Sequence, residues 1–266
     1  MRLPYFAPLR FLTLLARRLA PGRWCPGTLL LMLCLAGFGA SAQVTSAEAN
    51  GKQLQQQHPE DSASADTHFQ QLLGHYHQQP DKRIVPLTIN YLNRHTVDSA
   101  QIIALQRQCN ILAGFLTALL AQDTTLRQQL RELHPRITDP GCRGFVAEIL
   151  TLTPDQLFAK MPLMPAYNDV AWAAYGATGD TRYLQLVLGN CRYAAERKSL
   201  NLYLTGASAR WSLCSMAQQD AQVKSYLLAQ RNSPEARLVL RSTPAALRQQ
   251  ITEGIARTQQ HGGWQP

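Results

Sequence analysis

Apolar residues recur every three or four positions along most of the chain after Asp66, which is the spacing of one face of an α-helix. The longest stripe opens after Asp98. Its members are Ile102, Leu105, Cys109, Leu112, Leu116 and Leu119. No segment shows sustained alternation of β-branched and polar residues, so no strand is predicted. The pattern predicts an all-α fold.

Proline, glycine and aspartate interrupt this periodicity and mark the ends of the predicted helices. The first helix is predicted from a cap at Asp66 to near Pro80, and the second carries Ile84 to Leu92. Later helices are predicted over 126–133, 142–152, 168–178, 181–196, 201–218, 221–230 and 243–258, with a short turn over 155–160. Breaks this frequent give antiparallel helical hairpins, arranged as a repeat-like α-solenoid or a compact bundle. We treat 67–258 as one α-helical domain and 259–266 as a flexible C-terminal tail.

The N-terminus has the layout of a secretory signal peptide. Residues 1–42 hold five arginines and no acidic residue, and an apolar run covers Thr28–Phe38. Gly39, Ala40, Ser41 and Ala42 follow, so cleavage is predicted after Ala42. The run is shorter than the roughly 20 residues that span a bilayer, although retention as an anchor is the alternative. The predicted location is the periplasm or the outside of the cell, with no membrane span left after cleavage.

Removal of this leader changes the charge and leaves a polar segment at the new N-terminus. The formal charge falls from +9 to +4 because the leader takes five arginines and no acid with it. Arg192, Arg197 and Lys198 are the nearest approach to a basic cluster, and cations also suit a helix end. The charge therefore gives no nucleic-acid footprint. Residues 43–66 are polar and nearly free of large apolar side chains, so we expect a disordered tether.

One segment is typical of a turn between two helices. In Trp172–Tyr183, which reads WAAYGATGDTRY, Gly179 can adopt the left-handed conformation that ends a helix and Asp180 can cap the next one. Ala173 and Gly176 are small enough for a close helix approach. The segment resembles the turn of tetratricopeptide and Sel1-like repeats, although no unit recurs at about 34 residues.

Together with ARWSLCSMAQQ at 209–219, the same segment resembles a group of exported bacterial helical proteins. That group has a WxxF/Y-x-ATGD-x-x-Y turn and a later A-x-WSL-x-x-x-A helix. The resemblance covers roughly residues 100–230. It implies a helical fold and bacterial export, and it implies no particular chemistry.

Four cysteines follow the leader: Cys109, Cys142, Cys191 and Cys214. An even count in an exported protein favours disulfides, and neighbours in sequence suggest the pairs Cys109–Cys142 and Cys191–Cys214. The alternative is that the thiols are free and pack as small apolar groups. No CxxC is present and no histidine lies near a cysteine at ligand spacing, so no metal site is predicted.

Sequence motifs of catalysis are largely missing. There is no P-loop, no GxGxxG, no GxSxG and no HExxH, and no cofactor is predicted. Gly206 and Ser208 lie in a predicted helix, where small residues allow close packing. Asp169 and Asp180 flank an aromatic helix, and paired carboxylates act in sugar hydrolysis. Both also occupy positions that suit a helix dipole.

The candidate partner-binding residues are aromatic: Trp172, Tyr175, Tyr183, Tyr203 and Trp211. Most are expected in the core, and the remainder would anchor a partner. The leading hypothesis is therefore an exported helical module of the bacterial cell envelope that binds a protein or peptide, with no catalytic activity evident. The alternatives are a periplasmic cell-wall-active hydrolase that uses Asp169 or Asp180, and a secreted effector or structural protein.

Overall fold

The computed structural model describes residues 59–95 and 102–260. A boundary between two units of the chain falls between Ser62 and Ala63, and the description below concerns the second unit and the first turn of the helix that leads into it. The described residues form twelve α-helices and no strand, which confirms the all-α prediction; the repeat-like arrangement stays a prediction. The helices are α1 (Pro59–His75), α2 (Ile84–Arg94), α3 (Ile102–Gln122), α4 (Thr124–Leu133), α5 (Pro140–Ile149), α6 (Pro154–Lys160), α7 (Pro165–Thr178), α8 (Thr181–Asn190), α9 (Leu200–Met216), α10 (Ala221–Ala229), α11 (Pro234–Arg241) and α12 (Pro244–Gln260).

Polar side chains cap most of these helices at the N-terminus. A side-chain oxygen accepts a hydrogen bond from a backbone N–H of the first turn in eight of the described helices. The capping residues are Asp123, Asp139, Thr153, Asp180, Ser199, Asp220, Ser233 and Thr243. A capping oxygen satisfies a donor that has no partner inside the helix. Asp123, Asp139, Asp180 and Asp220 therefore each open a helix.

Several helix bounds differ from the sequence prediction. Helix α1 begins at Pro59, inside the predicted tether, and Asp66 lies within the helix instead of capping it. Its carboxylate pairs with Arg94 at 2.6 Å and with His95 at 3.0 Å. Proline at the first position and acids in the first turn both favour a helix start. Residues 1–42 and 43–58 and the end of the tail, 261–266, lie outside the described residues.

Three further differences concern the second half of the chain. Helix α11 was not predicted, because a proline such as Pro234 usually interrupts a helix. In the structure, Pro234 is the first residue of α11, and Ser233 caps that helix. The helix predicted over 181–196 ends at Asn190, and a 3₁₀-helix covers Cys191–Ala195. Helix α12 continues to Gln260, past the predicted start of the tail. Among the described helices, none is both long and apolar enough to cross a membrane.

Helices α3 and α7 form the centre of the core. Every residue from Leu112 to Leu120 is buried, so this part of α3 is enclosed on all sides instead of along one stripe. A Cβ on Gly114 would lie 2.3 Å from the carbonyl oxygen of Val170. The absence of a side chain at Gly114 therefore lets the two helices meet backbone to backbone.

Helices α7, α8 and α9 are joined by buried amide side chains. Asn168 on α7 donates to the carbonyl oxygen of Thr205 at 2.8 Å and to Ser208 Oγ at 2.9 Å, both on α9. Asn190, at the end of α8, donates to Asn168 Oδ1 at 2.8 Å. Asn168 is only 2% exposed, and burying such a group is costly unless its partners are present. The network therefore fixes the register of the three helices.

Candidate functional site

The helix turn at Gly179 and Asp180 has the predicted geometry. Gly179 has a φ of 69° and ends α7, and its N–H donates to the carbonyl oxygen of Tyr175 at 2.7 Å. Asp180 accepts from the backbone N–H of Arg182 at 2.9 Å and begins α8. Gly176, however, lies against α1, where a Cβ would stand 2.6 Å from the carbonyl oxygen of Leu73. The small residue serves a contact with α1 that the sequence did not indicate.

The five candidate aromatic residues separate by burial. Tyr175, Tyr183 and Tyr203 are buried in the structure. Trp172 and Trp211 are half-buried, and Trp172 Nε1 donates to Ser212 Oγ at 2.9 Å. Partner binding by this set stays a prediction. Because Trp172 and Trp211 are only half-buried, they are the two members of this set that a partner could contact.

A buried carboxylate holds the Tyr175 side chain. The Tyr175 hydroxyl donates to Asp220 Oδ2 at 3.0 Å, and Asp220 Oδ1 accepts from the backbone N–H groups of Gln222 and Val223. Asp220 is 5% exposed, and burial together with this carboxylate raises the pKa of Tyr175. Asp220 therefore caps α10 and joins it to α7. No pattern in the sequence indicated the hydrogen bond between Asp220 and Tyr175.

The two candidate catalytic carboxylates are not brought together. Asp169 lies in the first half of α7, and Asp180 follows the C-terminal end of α7, where it caps α8. At 1.5 Å of rise per residue, the two positions are roughly 15 Å apart along α7. Paired carboxylates in glycoside hydrolysis stand about 5 to 10 Å apart. The geometry gives the hydrolase alternative no support.

The predicted disulfides are absent: Cys109, Cys142, Cys191 and Cys214, all in the described range, are free thiols. Cys191 Sγ donates to the carbonyl oxygen of Val187 at 3.8 Å, and Cys214 Sγ to that of Ser242 at 3.2 Å. Burial raises the pKa of Cys109 to about 11 and that of Cys191 to about 12. These thiols therefore behave as small apolar groups with a local hydrogen bond, the alternative that the sequence also allowed.

A groove lies where α12 and the Cys191–Ala195 segment pack against α9. We call it the arginine groove; it has a volume of about 330 Å³. Its lining includes Arg197, Tyr203, Arg210, Leu247, Ile251 and Arg257. It combines three guanidinium groups with an aliphatic wall.

Two glycines set the shape of the arginine groove. A Cβ on Gly206 would lie 2.0 Å from the backbone nitrogen of Ala194, so Gly206 lets the 3₁₀ segment rest directly on α9. This confirms the close packing predicted for the small residues of α9. A Cβ on Gly254 would lie 2.1 Å from the Tyr203 hydroxyl oxygen. That hydroxyl donates to the carbonyl oxygen of Ile251 at 3.4 Å, which ties α9 to α12.

The three arginines surround the Tyr203 side chain. The Arg197 guanidinium lies 5.7 Å from the centre of the Tyr203 ring. Burial raises the pKa of Tyr203, and Arg197, Arg257 and Arg210 act in the opposite direction because positive charge favours the phenolate. Arg210 also donates from Nε and Nη2 to Glu235 Oε2, at 3.1 and 2.8 Å. Three arginines therefore line the groove, and one of them is paired with Glu235, which is not a lining residue.

Trp211 is one of the two half-buried members of the predicted aromatic set. Trp211 follows Arg210 on α9, and the Arg248 guanidinium lies 5.8 Å from the centre of its ring. Trp211 Nε1 is buried, and none of the described residues accepts a hydrogen bond from it. Trp211 is the member of the predicted aromatic set that stands next in sequence to a groove arginine.

The arginine groove was not predicted from the sequence. Arg197 looked like a cation at a helix end, but it follows the 3₁₀-helix in a loop and turns towards α9. Arg210 and Arg257 lie far apart in the sequence and meet only through the packing of α12 on α9. No spacing rule could have joined the three.

A second hollow, of about 530 Å³, lies between α9, α10 and α11. Its charged lining residues are Asp220 and Lys224. Asp220 already accepts hydrogen bonds from Tyr175 and from the start of α10. This hollow therefore offers a ligand less charge than the arginine groove.

The chain matches no protein-family model, no curated protein sequence and no solved structure.

Proposed function

We propose that the protein is an exported, non-catalytic α-helical module that binds a partner protein of the cell envelope through the arginine groove. The observation that carries this proposal is the convergence of Arg197, Arg210 and Arg257 on one partly apolar groove. Arginine and aromatic residues are enriched among the side chains that dominate binding at protein interfaces. The basic leader, its apolar core and the small residues before Gln43 support export.

Packing around the groove supports binding without large rearrangement. Gly206 and Gly254 let the 3₁₀ segment and α12 approach α9 closely, and Tyr203 is held by the carbonyl of Ile251. A surface that is already formed loses less conformational entropy when it binds. The resemblance to exported bacterial helical proteins and to tetratricopeptide turns is part of this proposal, on the strength of the Gly179–Asp180 turn.

A photoreactive amino acid placed at position 250 tests the proposed site in the exporting cell. Gln250 is exposed and lines the groove, whereas Gln128 is exposed on α4 and serves as the control position. We expect a crosslinked product of one defined mass from position 250 and none from position 128. Equal products from both positions, or none from position 250, would overturn the proposal.

Sequencing the N-terminus of the exported protein tests its localisation. The proposal requires a mature chain that begins at Gln43 in the periplasmic or extracellular fraction. A protein that keeps residues 1–42 and sediments with membranes would support the anchor alternative instead.

A further inference from the structure

We infer that the arginine groove binds a carboxylate carried next to an aliphatic side chain, as in an acidic segment of a partner protein. This inference rests on the proposed function, because it specifies what the partner presents to the groove. It depends on the charge of the groove, on the chemistry of its walls and on its volume.

The charge of the groove favours an anion. Arg197, Arg210 and Arg257 line it, and Glu235 pairs with Arg210. None of the residues that line the groove is acidic. Glu196 and Glu253 are sequence neighbours of groove residues; Glu196 Oε1 accepts from the backbone N–H groups of Arg197 and Lys198, which lowers its pKa, and Glu253 Oε1 accepts from Gln249. The lining therefore carries three positive charges, one of which is paired with Glu235.

The positions of the guanidiniums suit a carboxylate. Arg197 is held by hydrogen bonds from Nη1 to the carbonyl oxygens of Glu196, at 2.8 Å, and of Ala194, at 3.4 Å. Arg210 Nε and Nη2 both donate to Glu235, so Arg197 and Arg257 are the groove arginines that no described carboxylate pairs with. A guanidinium donates two parallel N–H bonds to a planar carboxylate, and such charge-assisted bonds are the strong ones.

The walls of the groove distinguish an organic acid from an inorganic anion. Leu247, Ile251 and Ala207 contribute aliphatic surface beside the arginines. A free phosphate would satisfy the guanidiniums and leave this surface uncovered, whereas an aliphatic group attached near the carboxylate would bury it. The volume of about 330 Å³ is at the small end of ligand pockets, so the groove accommodates one or two side chains.

Binding of short peptides to the purified exported protein, measured by calorimetry, tests the inference. The probe is an acetylated and amidated peptide in which one glutamate precedes one leucine. Its neutral control replaces the glutamate with glutamine. A third peptide keeps the glutamine and ends in leucine with a free carboxylate, so it reports whether a chain end supplies the same chemistry. Inorganic phosphate is the fourth probe.

We expect the glutamate peptide to bind and the neutral peptide not to bind. Arg197→Gln and Arg257→Gln should each weaken that binding by about tenfold, because each removes a charge-assisted pair. Arg237→Gln removes the same charge from an exposed position on α11 and should leave binding unchanged. Equal thermal unfolding of the three variants would show that they fold alike.

Several results would overturn the inference: no binding of the glutamate peptide, equal binding of the neutral peptide, binding by phosphate alone as strong as by the glutamate peptide, or an equal loss in Arg237→Gln. Binding of the free-carboxylate peptide alone would show that a chain end, and not an acidic segment, occupies the groove. These failures are distinguishable from failure of the proposed function. A defined crosslink at position 250 without peptide binding would keep the partner site and reject its carboxylate chemistry. Peptide binding without a crosslink would keep the carboxylate chemistry of the groove and reject the groove as the site that binds a partner in the cell.

Discussion

The α3–α7 contact and the α9–α12 contact both depend on a glycine, but they are built for different purposes. Gly114 brings α3 against the backbone of Val170 in a region where every residue from Leu112 to Leu120 is buried. Gly254 brings α12 against the end of the Tyr203 side chain, beside a groove with three arginines. The α3–α7 contact is closed and mainly apolar, whereas the α9–α12 contact leaves charged side chains around an open groove.

The difference separates the scaffold from the binding surface. In the closed contact, close packing leaves no room for a ligand and makes any added volume costly. In the open contact, α12 rests on α9 through Tyr203, Leu247 and the groove walls, so charge stands next to aliphatic surface. We therefore expect stability to respond to changes at the first contact and binding to respond to changes at the second.

Alkaline pH should have the largest effect on stability, because it acts on several buried groups at once. Burial raises the pKa of Cys142 and of Cys191 to about 12, above the ordinary thiol value of 9.0. The unfolded chain therefore loses thiol protons near pH 9 while the folded chain retains them. Each unit of raised pKa corresponds to about 1.4 kcal/mol. The free energy of unfolding should be level below pH 9 and fall between pH 9 and 12.

Urea unfolding measured across pH checks this, with Cys191→Ala as the companion variant. The slope above pH 9 should be shallower in the variant. A free energy of unfolding that stays level up to pH 12 would contradict the burial of these thiols. The same samples, alkylated in denaturant without reductant, should carry a label on all four cysteines, because the four thiols are free in the structure.

Among single substitutions, Gly114→Ala should cause the largest loss of stability. The new methyl group would stand 2.3 Å from a backbone oxygen of α7, so the helices must separate. We expect the free energy of unfolding to fall by about 3 kcal/mol, as for overpacked cores. Gly189→Ala on α8 is the matched control, since nothing lies within 4 Å of its Cβ. That change should be neutral or stabilising, because alanine favours a helix. Equal losses would refute the close contact.

Tyr175→Phe tests the polar link between α7 and α10. It removes the hydroxyl that donates to Asp220 and leaves a buried carboxylate oxygen with one bond fewer. The free energy of unfolding should fall by about 1.5 kcal/mol. Tyr226→Phe, a half-buried tyrosine of α10, provides a control that should change it less. Equal effects would show that the Asp220 bond contributes nothing particular.

Gly254→Ala should separate stability from binding. The added methyl group meets the far end of Tyr203, which can move, so the loss should be about 1 kcal/mol and smaller than at Gly114. Because Tyr203 lines the arginine groove, the displacement should also weaken binding of the carboxylate peptide. A large loss of stability with unchanged binding would reverse the roles assigned to the two contacts.

Asp180→Ala should have the smallest effect, about 1 kcal/mol or less, because it removes one N-terminal cap. The Asp180 carboxylate is partly exposed and also pairs with Arg182, which adds little at a surface. Thermal unfolding checks the loss, with Asp180→Asn expected to retain most of the cap. Unchanged unfolding of Asp180→Ala would contradict the helix turn.

Local chemistry explains which parts of the fold could be predicted. Gly179 and Asp180 determine their turn by their own conformational and capping preferences, so the sequence identified it. The central burial of α3 could not be predicted from its apolar stripe, because it depends on the packing of α7 at Gly114. The disulfide prediction was wrong for the same reason: cysteine spacing does not specify where each thiol points, and Cys191 and Cys214 face backbone carbonyls.

The candidate site was harder to predict than the fold. Arg197, Arg210 and Arg257 belong to a loop, to α9 and to α12, and each alone resembles an ordinary surface cation. Their common location depends on Gly206 and Gly254, which allow two segments to approach α9. The aromatic positions were easier to find by composition, but Tyr175 and Tyr183 proved to be buried.

Hydrogen–deuterium exchange of the protein, alone and with the partner captured at position 250, tests the central claim most directly. We predict that the partner slows amide exchange in the segments 191–210 and 244–260, which border the arginine groove, and leaves 112–120 of α3 unchanged. Protection confined to other surfaces, with exchange at 191–210 and 244–260 the same in both samples, would contradict the claim.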